Sequence, residues 1–227
     1  MKIMQCWDDG VTTDARLTEL LRRHGAKATF NLNPGLYQPE RQPGWLYQGT
    51  PVWRLGWREM RQVYAGFSIA NHSLTHPRLD SLAPEELRRE VTEGRSRLQQ
   101  FFGQAVAGFV YPFGATSPAV QEAVREAGHA YARTTQDVAQ AWPVADAMAL
   151  HPNCHFQAPD FWQRLVSARP CGVFYFWGHS YQMTTEAQWA AFDGLLARLA
   201  ADPQLQWGEV AELTGGPAAD VATGPPR

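Results

Sequence analysis

Short apolar runs alternate with segments of helical spacing from residue 2 to residue 200, and no other property of this sequence constrains its fold as tightly. Strand-like runs fall at residues 2–7, 28–32, 67–71, 108–111, 130–134, 147–151 and 172–177. Between them lie helical patterns at 12–24, 84–102, 118–127, 160–168 and 185–200. The first carries Leu17, Leu20 and Leu21 on one face and stops at Gly25. Strands separated by helices pair in parallel, because a helical crossover returns the chain to the same sheet edge. This many units predict an α/β fold, a distorted barrel of about seven to eight parallel strands.

The amount of apolar material supports one domain. Of 227 residues, 44% are hydrophobic and 19% charged, enough for a single large core spanning residues 1–213. Residues 214–227 are rich in Gly, Pro and Ala without periodicity and are expected to form a disordered tail. A net charge of −2 argues against a nucleic-acid partner. No run reaches the ~18 apolar residues of a membrane span, and residues 1–5 lead straight into a motif with no signal peptide, so a cytoplasmic location is expected. Cys6, Cys154 and Cys171 have no disulfide spacing. Cys6 and Cys171 lie in strand-like runs and are expected to be buried.

In a parallel barrel the chemistry collects where strands end. Asp8 and Asp9 end the first run, His72 and His76 follow the one at 67–71, and His179 follows the one at 172–177. Two imidazoles four residues apart can aim at one point, and a carboxylate from another strand end completes a set with open positions. Adjacent carboxylates at an apolar strand end repel unless one is neutralised. A metal on one of the two aspartates resolves the conflict and leaves the other free as a base.

Four motifs, in order, carry a resemblance to a known family. They are Trp7-Asp8-Asp9-Gly10, Asn71-His72-Ser73-Leu74-Thr75-His76-Pro77, Tyr111-Pro112-Phe113-Gly114 and Trp177-Gly178-His179. Together they resemble the polysaccharide deacetylases, the NodB-like carbohydrate esterase family 4. The resemblance implies Asp8 as base, Asp9, His72 and His76 as metal ligands, and His179 as the acid that protonates the leaving amine. It implies an oxyanion donor at the Phe113 N–H, with Tyr111, Trp177 and His155 toward the substrate. The implied cofactor is one divalent ion, zinc first, with cobalt, nickel or manganese also suited to such a donor set. The implied reaction is hydrolysis of an N-acetyl group on an amino sugar or oligosaccharide, the expected partner. Two alternatives remain open: a metal-dependent hydrolase of a ureide or cyclic imide, and an inactive carbohydrate-binding homologue.

This chain departs from the family pattern in two places. Val110 stands where many members carry an arginine that orients the catalytic aspartate, and Arg133 is a candidate to replace it. The acidic residue that tunes the catalytic histidine has no clear counterpart, with Asp137 a candidate only. His24 and His129 lie near helix C-termini, where a cation is mildly favoured. His151 and His155 follow a predicted strand, so either can line the pocket. Residues 33–55 lack a period but carry Tyr37, Trp45, Tyr47 and Trp53, and read as a loop whose rings either staple it or form a substrate rim.

Overall fold

The computed structural model describes residues 1–138 and 142–214, so the expected tail, from residue 215 on, lies outside the described residues. The strand–helix alternation becomes β1 (Lys2–Asp8), α1 (Asp14–Arg23), β2 (Thr29–Leu32), an inserted hairpin β3 (Gln42–Tyr47) and β4 (Thr50–Arg54), then α2 (Trp57–Val63) and β5 (Ser68–Asn71). The second half runs α3 (Pro84–Phe102), β6 (Gly108–Val110), α4 (Pro118–Glu126), β7 (Tyr131–Arg133), β8 (Cys154–His155), α5 (Phe161–Ala168), β9 (Val173–Gly178), α6 (Glu186–Ala201) and β10 (Gln206–Trp207). Helix boundaries follow local chemistry. Pro84 opens α3 and Gly103, at φ 68°, ends it. Thr185 and Gln188 form a reciprocal cap at the start of α6.

Seven strands run in the order β7-β6-β5-β2-β1-β9-β8, with β10 paired to β1, and every pairing in this sheet is parallel. The sheet is curled into an incomplete barrel. Its curvature shows in a single contact: β7 lies four strands from β1 in the order, yet Arg133 on β7 reaches Asp8 on β1. Alternation along β1 divides the core. Ile3 and Trp7 face outward into a cluster with Leu17, Leu20 and Leu21 of α1 and Phe192 and Leu196 of α6. Met4 and Cys6 face inward, with Tyr131 and Tyr175. Among the described residues, no helix is long and apolar enough to cross a membrane.

Three expectations need correction. The strand predicted at 147–151 is a 3-10 turn (Ala147–Ala149) with one parallel bridge from Leu150 to Arg133, and the next strand is Cys154–His155. Asp146 caps that turn through the Met148 N–H, a local bond that competes with the ladder. Residues 33–55 are no structureless loop. Gln48 and Gly49, both at positive φ, turn the chain between β3 and β4. Pro43, Gly44 and a register shift between Pro43 and Trp45 break the alternation that would have revealed the strand. Finally, Cys171 is exposed in a turn before β9, while Cys6 is buried.

Candidate active site

The expected residues converge on one cavity of about 420 Å³ at the C-terminal ends of the strands. Asp8, Asp9, His72, His76 and His179 all line it, walled by the rings of Phe113, Trp177 and Tyr181. Four non-glycine residues around it have left-handed backbone: Asp9 (φ 83°), Ser73 (63°), His76 (61°) and Phe113 (60°). Each such residue costs about 1–3 kcal/mol, strain that persists only where the surroundings impose it. At Asp9 the surroundings are visible. Tyr37 donates its hydroxyl to the Asp9 carbonyl at 3.1 Å, and Gly10 leaves room for that ring, since a Cβ there would lie 2.3 Å from the hydroxyl oxygen.

Asp9, His72 and His76 place their donor atoms within 4.8 Å of one another. His72 Nδ1 lies 2.8 Å from the Val110 carbonyl, which can only accept, so this nitrogen carries the proton and Nε2 presents its lone pair. His72 Nε2 and His76 Nε2 are 3.2 Å apart and lie 3.8 and 3.7 Å from Asp9 Oδ1. Burial pushes His72 down to about 3, so the ring is neutral, as a ligand must be. Burial also raises Asp9, to about 6, with Asp8 adding to the shift and His76 opposing it. Two imidazoles and a carboxylate, crowded around one point, fit a divalent cation. The His72–His76 loop is held by Glu90 of α3, which accepts from the Thr75 N–H at 2.8 Å and the Thr75 hydroxyl at 2.6 Å.

Asp8 is only 2% exposed. Asn31 donates to its Oδ1 at 2.6 Å, and Arg133 donates to its Oδ2 at 2.5 Å. Burial pushes this carboxyl up, but Arg133, His72 and His179 overcome it and hold Asp8 well below the ordinary range. Arg133 is fully buried and stacks on Trp177 at 4.6 Å. It therefore stands where the missing guanidinium was expected to act. His179 Nε2 lies 3.8 Å from Asp8 and 3.7 Å from Asp9. Burial lowers its pKa while Asp8 pulls the other way.

Not every predicted residue reaches the cavity in the expected way. Tyr111 borders it but is fully buried, and its hydroxyl donates to the Met148 carbonyl. His155 stands one layer behind the wall, 5.2 Å from the Trp177 ring, with Nε2 2.7 Å from Gln182 Oε1. Asp137 does not touch the His179 ring. It accepts from Trp177 Nε1 and the His155 N–H, and His179 Nδ1 has no partner among the described residues. His129, at a helix C-terminus where a cation is mildly favoured, is instead a buried neutral ring, with Nδ1 3.1 Å from the Val124 carbonyl and Nε2 3.2 Å from Asn71 Nδ2. His24 does pair with an acid, Asp193, at 2.6 Å. Sequence reasoning missed Asn31, although its place directly beside Asp8 in a parallel ladder was a usable signal. It also missed Thr135, which lines the cavity from an irregular segment.

Comparison with known proteins gives the family and the fold. The sequence model of the polysaccharide deacetylase family matches residues 1–132. No curated protein matches the chain. Among solved structures, the Streptococcus pyogenes deacetylase PplD in complex with acetate has a TM-score of 0.54 at 19% identity, over 65% of this chain and 62% of that one. This chain thus spans less than two thirds of that protein. A family 4 acetyl xylan esterase from Clostridium thermocellum, in complex with a cobalt ion, has a TM-score of 0.61 at 18% identity, over 96% and 93% of the two chains. BA3943, a family pseudoenzyme from Bacillus anthracis, has a TM-score of 0.60 at 15% identity, over 94% of this chain and 65% of that one. At these identities the likeness is one of fold. The sequence match covers more than half of the 227 residues and includes Asp8, Asp9, His72, His76 and Phe113: the chain belongs to the polysaccharide deacetylase family.

Proposed function

We propose that this protein hydrolyses the N-acetyl group of an amino sugar or its oligosaccharide, using one divalent metal ion. One observation carries the reading: a three-donor cluster suited to a cation shares its cavity with a buried carboxylate on one side and an imidazole on the other. Asp9, His72 and His76 would hold the ion, zinc first, with cobalt, nickel or manganese accepted by the same donors. Bound there, it would polarise the acetyl carbonyl and make water more acidic.

The chain's own groups supply the rest. Asp8, kept ionised by Arg133, accepts the proton of the attacking water. The Phe113 N–H, at the lip of the cavity, donates to the carbonyl oxygen as charge develops on it. His179 delivers a proton to the departing nitrogen. Without that proton the leaving group would be an amide anion, so the acid matters as much as the base.

Val110 leaves Asp8 without the family's usual arginine, which would favour a ureide or imide substrate. Arg133 pairs with Asp8 in its place, so Val110 does not argue for a non-sugar amide. Pseudoenzymes exist among the structural neighbours, so activity must be measured. The experiment is metal analysis of the purified protein with acetate release from N-acetylglucosamine oligomers, for wild type and Asp8→Asn. Metal-dependent release lost in Asp8→Asn supports the reading. Turnover of ureides alone, or no bound metal and no release, overturns it.

A further inference from the structure

His179 lacks the usual support of a working imidazole. A catalytic histidine is normally oriented by a hydrogen bond on its far nitrogen. Among the described residues Nδ1 is buried with no hydrogen-bond partner; the Gln182 side chain interacts with His179, and the rings of Trp177 and Tyr181 flank it at 5.5 and 5.0 Å. The ring's position therefore depends on the backbone that carries it, the end of β9 and the short 3-10 turn Ser180–Gln182.

That turn is fastened within itself and on two sides. Gln182 Oε1 accepts the His179 N–H at 3.1 Å, a tie within the turn itself. On the β8 side the same Oε1 lies 2.7 Å from His155 Nε2, and Gln157 Nε2 donates to the Gln182 carbonyl at 3.4 Å. The tie on the other side leads to α1. The Ser180 hydroxyl donates to Asp14 Oδ1 at 2.5 Å, and Thr13 Oγ1 lies 2.7 Å from the same hydroxyl. Ser180 and Asp14 are both fully buried. Asp14 Oδ2 accepts from Tyr64 at 2.6 Å and from the Val11 N–H at 3.2 Å. Among the described residues Asp14 closes no ion pair, so these hydrogen bonds are what satisfies its buried carboxyl. Asp14 belongs to the first turn of α1, five residues beyond Asp9.

We infer that Asp14, acting through the Ser180 hydroxyl, is the positioning residue that sets where the His179 imidazole stands. The bond joins the turn after β9 to the segment after β1, so the acid is indexed directly to the loop that carries Asp8 and Asp9. This rests on the reading of His179 as the acid that serves the leaving group.

The test compares two acetyl donors on the metal-loaded enzyme. An N-acetylglucosamine oligomer has an amine leaving group that must be protonated, whereas 4-nitrophenyl acetate releases a phenolate that needs no proton. In Ser180→Ala, kcat on the amide falls about 10- to 100-fold, as expected for a misplaced acid, while its KM, the bound metal and turnover of the aryl ester stay near wild type. Asp14→Asn gives the same pattern, a weaker form of the profile of His179→Ala. If both donors slow equally, or neither does, the inference is overturned. If wild type turns over neither donor, the proposed function fails on its own account. A crystal structure of Ser180→Ala then decides the inference: His179 Nε2 displaced by about 1 Å or more supports it, and an unmoved ring overturns it.

Discussion

Arg133 donates to Asp8 from the β7 position that pairs with Val110 of β6. Paired residues of neighbouring parallel strands project to the same face of the sheet, so the guanidinium enters the barrel beside the place where the family pattern puts it. The charge has moved one strand sideways at the same level.

Removing Arg133 should therefore do more than weaken the proposed base. Arg133→Met leaves the Asp8 carboxylate buried and uncompensated, and a loss of about 3–5 kcal/mol in urea denaturation is expected. Acetate release should fall with it. The double change Val110→Arg with Arg133→Val returns a guanidinium to the same face, and part of both losses should be recovered. A double variant no better than Arg133→Met would refute the sideways relocation.

The cation site should depend on groups that never touch the ion. His76→Ala removes one of the three proposed ligands directly. Glu90→Gln only loosens the grip on Thr75, and a loss of about 10- to 100-fold in metal affinity is expected from such supporting contacts. Titration with zinc, followed by calorimetry, would rank the variants, with His76→Ala the weaker binder of the two.

Gly94 should reverse a familiar rule. In an ordinary helix Gly→Ala adds about 1 kcal/mol of stability. In α3, a Cβ at Gly94 would meet Asn71 Oδ1 at 2.5 Å and the Leu74 nitrogen at 3.1 Å. The loop bearing the two histidines packs directly on this bare stretch of helix. Gly94→Ala should thus destabilise by about 1–3 kcal/mol through overpacking, and should weaken metal binding as well. A melting temperature at or above wild type would count against this packing.

His129 should contribute a pH dependence of stability separate from catalysis. In the unfolded chain it takes up a proton near pH ~6.5. In the fold, burial pushes it down to about 3. Between those values the unfolded state holds the additional proton, so this share of stability is present above ~6.5 and is lost as pH falls toward the folded value. His129→Gln keeps an acceptor for Asn71. It should show a smaller drop in melting temperature than wild type between about pH 7 and about pH 4.5.

The parts of the site that lie next to regular strand ends were legible in the sequence. Asp8, Asp9, His72, His76 and His179 each follow a run whose apolar character marks it as a strand, and the parallel register brings those ends to one rim. What escaped depends on partners distant along the chain or on local turns. Asp14 sits where an acidic residue commonly opens a helix, and only the fold brings Ser180, 166 positions away, to donate to it. Residues 147–151 have strand composition, but the Asp146 cap bends them into a turn. The hairpin was hidden by Pro43 and Gly44, and His129 by a helix end that proved to be buried. Local pattern reports what a segment favours by itself, and these exceptions were decided by neighbours it could not show.

The strand order divides the proposed labour of the centre. The three cation donors come from β1 and β5, which flank β2, whereas the proposed acid arrives on β9, from the opposite side of β1. Binding an ion and releasing a product are thus assigned to different halves of one sheet, with β1 as the shared hinge post. Damage to the β9 side can leave a chain that still captures metal but turns over little. The first function such a protein gives up need not be the one its metal content reports.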